Sequence, residues 1–270
     1  MSSKKKTVII ASAAAAAVAI IIAALLVFGV VTVGRSSRDG SFWIGSSDYA
    51  KSGQIYLVGE SHAVERILEE NLRIWNDLYH NEGMRHYFVE YGYCTVGFLN
   101  MWMEADDNEI LDMVYENWKG TSSHNQVVYD YFVNVKKTCP DTVFHCTDVE
   151  HQYKLTGAEY IKYLEENGMK DSEEYRRAEE ANEQGRTFYQ KKDVEATEYR
   201  EAKMAENFMK EYDALNGISV FGVFGSNHTN YPVIRGESTP TLATAIYRTY
   251  GMERLEVNNL SLKYRSGKLQ

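Results

Sequence analysis

Hydrophobic and polar positions divide this chain into three textures. From Thr7 to Val33 no residue is charged, and Ala, Ile and Val dominate. From residue 53 onward, short apolar runs alternate with longer amphipathic stretches. Between residues 157 and 214 the chain becomes charged, rich in Tyr, Ala and Glu, and free of proline.

The first texture predicts a transmembrane anchor. At about 1.5 Å rise per residue the run crosses a hydrocarbon core of about 30 Å. Lys4, Lys5 and Lys6 precede it, which places the N-terminus in the cytoplasm and the remainder of the chain on the outer side. A cleaved signal peptide would carry an apolar region of only about 7–15 residues before a small-residue cleavage site, and Gly34-Arg35-Ser36 is a poor one. The segment also lacks the polar face of a helix packed on a soluble core. Residues 1–33 therefore read as cytoplasmic tip and membrane anchor. The Ser-, Gly- and Asp-rich stretch 34–52 reads as a linker, and 53–270 as an extracytoplasmic domain.

Within that domain Gln54-Ile55-Tyr56-Leu57-Val58-Gly59 is a short apolar run closed by glycine, the pattern of a buried strand. Val64, Ile67, Leu68, Leu72, Trp75 and Leu78 then recur at helical spacing over 63–82, and Gly83 ends the helix. Further strands are predicted at 86–90, 142–147, 217–225 and 254–257, with helices over 95–118 and before Pro140. Strands alternating with helices predict an α/β fold, a mainly parallel sheet flanked by helices on both faces. The near-continuous apolar strands agree, since both their faces must be buried. The charged segment 157–214 reads as a helical hairpin or cap inserted before the fourth strand.

Charge narrows the function. The whole chain carries a net charge of −9. Lys4, Lys5, Lys6, Arg35 and Arg38 lie in the first forty residues against Asp39 alone, so the domain is more acidic still. A phosphate backbone would be repelled, which excludes a nucleic-acid partner. Cys94, Cys139 and Cys146 form no Cys-x-x-Cys pair, which disfavours a thiolate zinc site. An oxidising location permits a disulfide, and buried free thiols are the other reading.

In an open parallel sheet, ligands bind beyond the carboxyl ends of the strands. Four predicted strand ends carry chemistry: Gly59-Glu60-Ser61-His62, Glu90-Tyr91-Gly92, Asp148-Val149-Glu150-His151 and Gly225-Ser226-Asn227-His228. Histidines with carboxylates can do general acid–base work or bind a divalent metal ion through N and O atoms. A serine nucleophile is disfavoured, because neither Ser61 nor Ser226 sits in a Gly-x-Ser-x-Gly elbow.

These residues resemble those of the erythromycin esterase/ChaN-like/Tiki superfamily over roughly 54–258. Gly59-Glu60-Ser61-His62 is similar to the Gly-Glu-x-His opening of ChaN-like proteins, one residue shorter than the Gly-Glu-x-x-His of the esterases. Glu90, and Gly225 to His228, look like the family's strand-end glutamate and late histidine. Arg200 with Met204, Ala205, Glu206 and Asn207 resembles an esterase helix pattern. The resemblance implies a catalytic set of Glu60, His62, Glu90, His228 and Arg200. Asp148, His151, Glu206, Asn207 and Asn227 are expected near a small-molecule or peptide substrate. The resemblance implies functions of different classes. One is a hydrolase of ester, lactone or peptide bonds, conditionally using a divalent metal on His62, Glu90 and His228. Another is a surface protein binding haem or iron through a Tyr or His ligand, with a non-catalytic interaction domain as a third option.

Overall fold

The computed structural model describes residues 31–35, 42–46, 52–235 and 239–269. The first two segments are strands β1 (Val31–Arg35) and β2 (Phe42–Ser46), paired antiparallel. The predicted anchor lies outside the described residues except for Val31–Val33, which open β1. Among the described residues no helix is long and apolar enough to cross a membrane.

The domain is built on β3 (Ile55–Glu60), β4 (His86–Val89), β5 (Val143–Cys146), β6 (Val220–Gly225) and β9 (Leu255–Asn259). They form one sheet in the order β5-β4-β6-β3-β9, and every pairing is parallel. Alternate residues feed opposite faces, as the two-residue period of a strand requires. Val58, Tyr87, Val89, Phe144 and Phe221 enter one apolar cluster, whereas Ile55, Leu57, Phe88, Val220 and Phe224 enter the other.

The first cluster is covered by α1 (Glu65–Asn81), α2 (Tyr93–Glu104), α3 (Glu109–Asn117) and α4 (Gln126–Thr138). Trp75 of α1 is its centre: the indole is fully buried, stacks on Phe221 at 5.4 Å and donates Nε1–H to Thr142 Oγ1 at 3.0 Å. Burying one such side chain is worth about 1.5–3 kcal/mol.

The single helix predicted over 95–118 is instead two, α2 and α3. Ala105 is extended, and Asp107 Oδ1 accepts Glu109 N–H, the local side-chain-to-backbone bonding by which Asp and Asn compete with helix. Lys136 Nζ donates to the carbonyls of Trp102 and Ala105 at 2.6 Å each, satisfying the end of α2.

The charged stretch forms three helices, α5 (Thr156–Glu166), α6 (Glu173–Gln190) and α7 (Asp193–Ala214). The last is no outlying cap. Its stripe Met204, Ala205, Phe208 and Tyr212 fills the second apolar cluster, opposite a face of Lys, Glu and Asp. After β6 come the one-turn α8 (Ser226–Thr229), a two-residue hairpin β7 (Ile234–Arg235) and β8 (Thr239–Pro240), then α9 (Leu242–Tyr250), β9 and α10 (Leu260–Arg265). Cys94, Cys139 and Cys146 are free and buried, and burial pushes the Cys139 thiol up to about 12.

Candidate active site

Because β4, β6 and β3 are neighbours, their carboxyl ends bring distant sequence segments together. Glu60 closes β3 in register with Gly225 of β6, and Glu90 comes directly after the last residue of β4. His62 lies two residues past β3, and α8 carries His228 over the end of β6. Asp148 leaves β5, and α7 crosses this edge with Arg200.

Two imidazoles meet one carboxylate. Glu90 Oε1 is 3.4 Å from His228 Nε2 and 3.9 Å from His62 Nε2. Its other oxygen accepts Gly225 N–H at 2.6 Å. Arg200 spans the remaining carboxylates: Nη2 donates to Glu90 Oε1 and Asp148 Oδ2 at 2.6 Å each, and Nε donates to Asp148 Oδ1 at 3.0 Å. Asp148 is wholly buried. Burial pushes the Glu90 carboxyl upward, but His228, Arg200 and His62 outweigh it and bring it down to about 2. Asp148 is lowered in the same way: burial is overcome by Arg200 and His151.

The two histidines differ in setting. His62 is 45% exposed. Its Nδ1–H donates to Glu60 Oε1 at 3.0 Å, while Asn71 holds Glu60 Oε2 at 2.8 Å. This leaves Nε2 as the free atom of the ring, and the hydrogen bond to Glu60 raises its pKa. His228 is nearly buried, with Nδ1–H on Glu201 Oε2 at 2.8 Å and Nε2 also 3.5 Å from Arg200 Nη1. Burial disfavours its cation, yet Glu201 and Glu90 raise it to about 9, so it is an imidazolium at neutral pH.

A cavity of about 360 Å³ opens beside this set. Glu60, His62, Glu90, Asp148, His151 and Arg200 line its polar side. Tyr91, Trp118, Tyr131 and Phe132 line the other, with the Tyr91 and Trp118 rings stacked at 4.9 Å. His151 Nε2 donates to Asp148 Oδ2 at 3.1 Å, and its Nδ1 is 3.2 Å from the Tyr189 hydroxyl.

Three predicted residues stand apart from this cavity. Glu206 is 56% exposed and pairs with Lys203. One residue is about 100° of helix, so sharing α7 with Arg200 does not bring Glu206 to the same face. Asn207 is an internal brace, donating to the carbonyls of Thr147 and Asp148 at 3.1 and 3.4 Å. Asn227 is exposed on a neighbouring cavity of about 270 Å³.

Two unpredicted residues of the site lie outside the strand ends, Glu201 and Asn71, and Glu150 belongs to the Asp148–His151 strand end without having been singled out there. Glu201 and Asn71 each interrupt an apolar helical stripe, Glu201 before Met204, Ala205 and Phe208, and Asn71 between Ile67, Leu68 and Trp75. A polar group at such a position must find a buried partner, and that was the available signal.

The residues present do not suit a metal. No group of three His, Cys, Asp or Glu side chains among the described residues is arranged to ligate one. The Arg200 guanidinium, itself a cation, bridges Glu90 and Asp148, and both His228 nitrogens face charged side chains. No tyrosinate is preformed at the cavity: burial raises the phenols of Tyr91, Tyr131 and Tyr189.

No family model matches the chain, and no curated protein matches it by sequence. Solved structures do match in fold. An erythromycin esterase (EreC) mutant in its open conformation superposes with a TM-score of 0.55 at 11% identity, covering 79% of this chain and 71% of that one. The likeness is one of fold. A Bacillus cereus protein gives 0.51 at 13% identity, covering 78% and 66%. A succinoglycan biosynthesis protein gives 0.52 at 12%, also covering 78% and 66%. The chain thus spans just under two thirds of the length of these last two.

Proposed function

We propose that the domain is a hydrolase of ester, lactone or peptide bonds in which His62 is the general base. The observation that carries this reading is the His62 ring itself. Glu60 holds Nδ1–H at 3.0 Å, so Nε2 carries the lone pair at the cavity. The 3.9 Å from Nε2 to Glu90 Oε1 is beyond a direct hydrogen bond, and a single water can touch both groups across such a gap. In the proposed reaction Nε2 takes a proton from that water as its oxygen attacks the carbonyl carbon. The tetrahedral intermediate then collapses, and the proton passes from Nε2 to the leaving oxygen or nitrogen. The raised pKa of His62 suits a base working near neutral pH.

Arg200 is the cation nearest a developing oxyanion, with Nη1 its least committed nitrogen. His228, buried and cationic between Glu201 and Glu90, serves in this reading to hold Glu90 in place rather than as a second base. The proposal includes attachment to a membrane through Thr7–Val33, with the domain on the outer side. That part rests on the uncharged run and the three lysines before it.

The test is hydrolysis of p-nitrophenyl esters and a peptide library by the full chain in detergent. His62→Ala is expected to lower the rate by about 10²–10⁴-fold. Unchanged turnover in that variant would overturn the assignment.

A further inference from the structure

Protein sites hold substrate anions chiefly with a guanidinium fork or with the N–H groups at a helix N-terminus. The cavity contains both, and the protein's own carboxylates take up most of the guanidinium and the N-terminus of α2. Arg200 is the one arginine or lysine among the described residues lining it. Its Nε and Nη2 are taken by Asp148 and Glu90, and its Nη1 faces His228. The N-terminus of α2 meets the cavity at Gly92 and Thr95. There the buried Glu150 accepts Cys94 N–H at 3.0 Å, Thr95 N–H at 3.1 Å and Thr95 Oγ1–H at 3.0 Å. It fits because residue 92 is glycine: a Cβ there would lie 2.6 Å from Glu150 Oε2. The lining histidines are engaged as well, His62 with Glu60 and His151 with Asp148.

We infer that this cavity rejects anionic ligands and takes uncharged or cationic ones that present a flat apolar group. An entering carboxylate would meet Glu60, Glu90, Asp148 and Glu150, with only Arg200 Nη1 and the outer nitrogen of His62 left to receive it, and like charges brought together across an interface are strongly unfavourable. A ring can lie against Tyr91, whose own ring is backed by the buried Trp118. The negative field of the lining carboxylates and the face of the Tyr91 ring both favour a ligand cation. The inference deepens the hydrolase reading by naming the charge class of its substrate, and it rests on that reading for the word substrate, though ligand binding can be measured without turnover.

The experiment titrates the full chain in detergent with phenylacetamide, phenethylamine and phenylacetate, three probes of one ring and three charges, by ligand-observed NMR. The amide and the amine are expected to bind, and phenylacetate to bind at least about tenfold more weakly. Ser122→Arg adds a cation at an exposed position on the cavity wall and should narrow that gap to less than about threefold. Phenylacetate binding as tightly as the amide to the unaltered chain would overturn the inference, as would no binding by any probe. If the binding order holds while no ester or peptide is cleaved, the charge selectivity stands and the hydrolase reading falls.

Discussion

Glu201 Oε2 lies 2.8 Å from His228 Nδ1, and Glu201 is wholly buried, its other oxygen accepting Leu242 N–H at 2.7 Å. The pair fixes the charge state of His228, raised from 6.5 to about 9. A raised histidine contributes stability that is complete below its unfolded value and lost as pH climbs through the folded one. Resistance to urea is therefore expected to fall between pH 6.5 and about 9, and this alkaline loss should shrink in Glu201→Gln. Glu201→Ala, which leaves His228 Nδ1–H and Leu242 N–H without their acceptor, should cost about 1–3 kcal/mol. Equal urea midpoints at both ends of that window would refute the pairing.

Glu60 raises the pKa of His62 by accepting its Nδ1–H. If His62 is the base, kcat/KM climbs with pH as the ring loses its proton, with a midpoint above 6.5. Glu60→Gln removes the charge but can still accept a hydrogen bond, so the ascending limb should move to lower pH while the plateau falls by roughly tenfold or more. A pH–rate profile of the two proteins checks this, and a limb unmoved by the substitution would count against Glu60 as the orienting group.

Gly225 leaves room for the His62 ring. A Cβ at that position would stand 2.9 Å from His62 Nε2 and 3.4 Å from Glu90 Oε2. The ring is half-exposed and can swing away, so Gly225→Ala should change stability by less than about 1–3 kcal/mol, the usual cost of overpacking a closed core. Turnover should nonetheless drop about 10²-fold, because the base moves relative to its substrate. Thermal unfolding and kcat measured side by side separate these effects; wild-type turnover in the variant would show that His62 Nε2 is not the reacting atom.

The hydrophobic segment makes a separate expectation. The full chain should remain in the membrane pellet through alkaline carbonate and enter solution only with detergent, as insertion of a long uncharged helix requires. A chain starting at Ser52 should be soluble without detergent. Release of the full chain by carbonate alone would leave the anchor without support.

Much of the architecture was readable because apolar periodicity is local. The strands at 54–59, 86–90, 142–147, 217–225 and 254–257 correspond to β3, β4, β5, β6 and β9, and Val64 to Leu78 to α1. The break at Ala105–Asn108 and the helix Leu242–Tyr250 were missed. The first depends on polar side chains bonding their own backbone; the second, opened by a Thr241 cap, carries a readable apolar stripe of Leu242, Ala243, Ala245 and Ile246. Of the expected site residues, Glu60, His62, Glu90, Asp148, His151 and Arg200 line one cavity, with His228 directly behind Glu90.

Residue order alone therefore determined an acidic α/β domain behind an uncharged N-terminal run, with histidines and carboxylates at the ends of its strands, because strand and helix periods are written in neighbouring residues. Only the tertiary arrangement decided which of them meet. Placing β6 between β3 and β4 sets His62 and His228 on either side of Glu90. The rotation of α7 turns Arg200 and Glu201 inward and leaves Glu206 in solvent. Those outcomes depend on strand order and helix rotation, set by packing between segments more than a hundred residues apart, which no local pattern records.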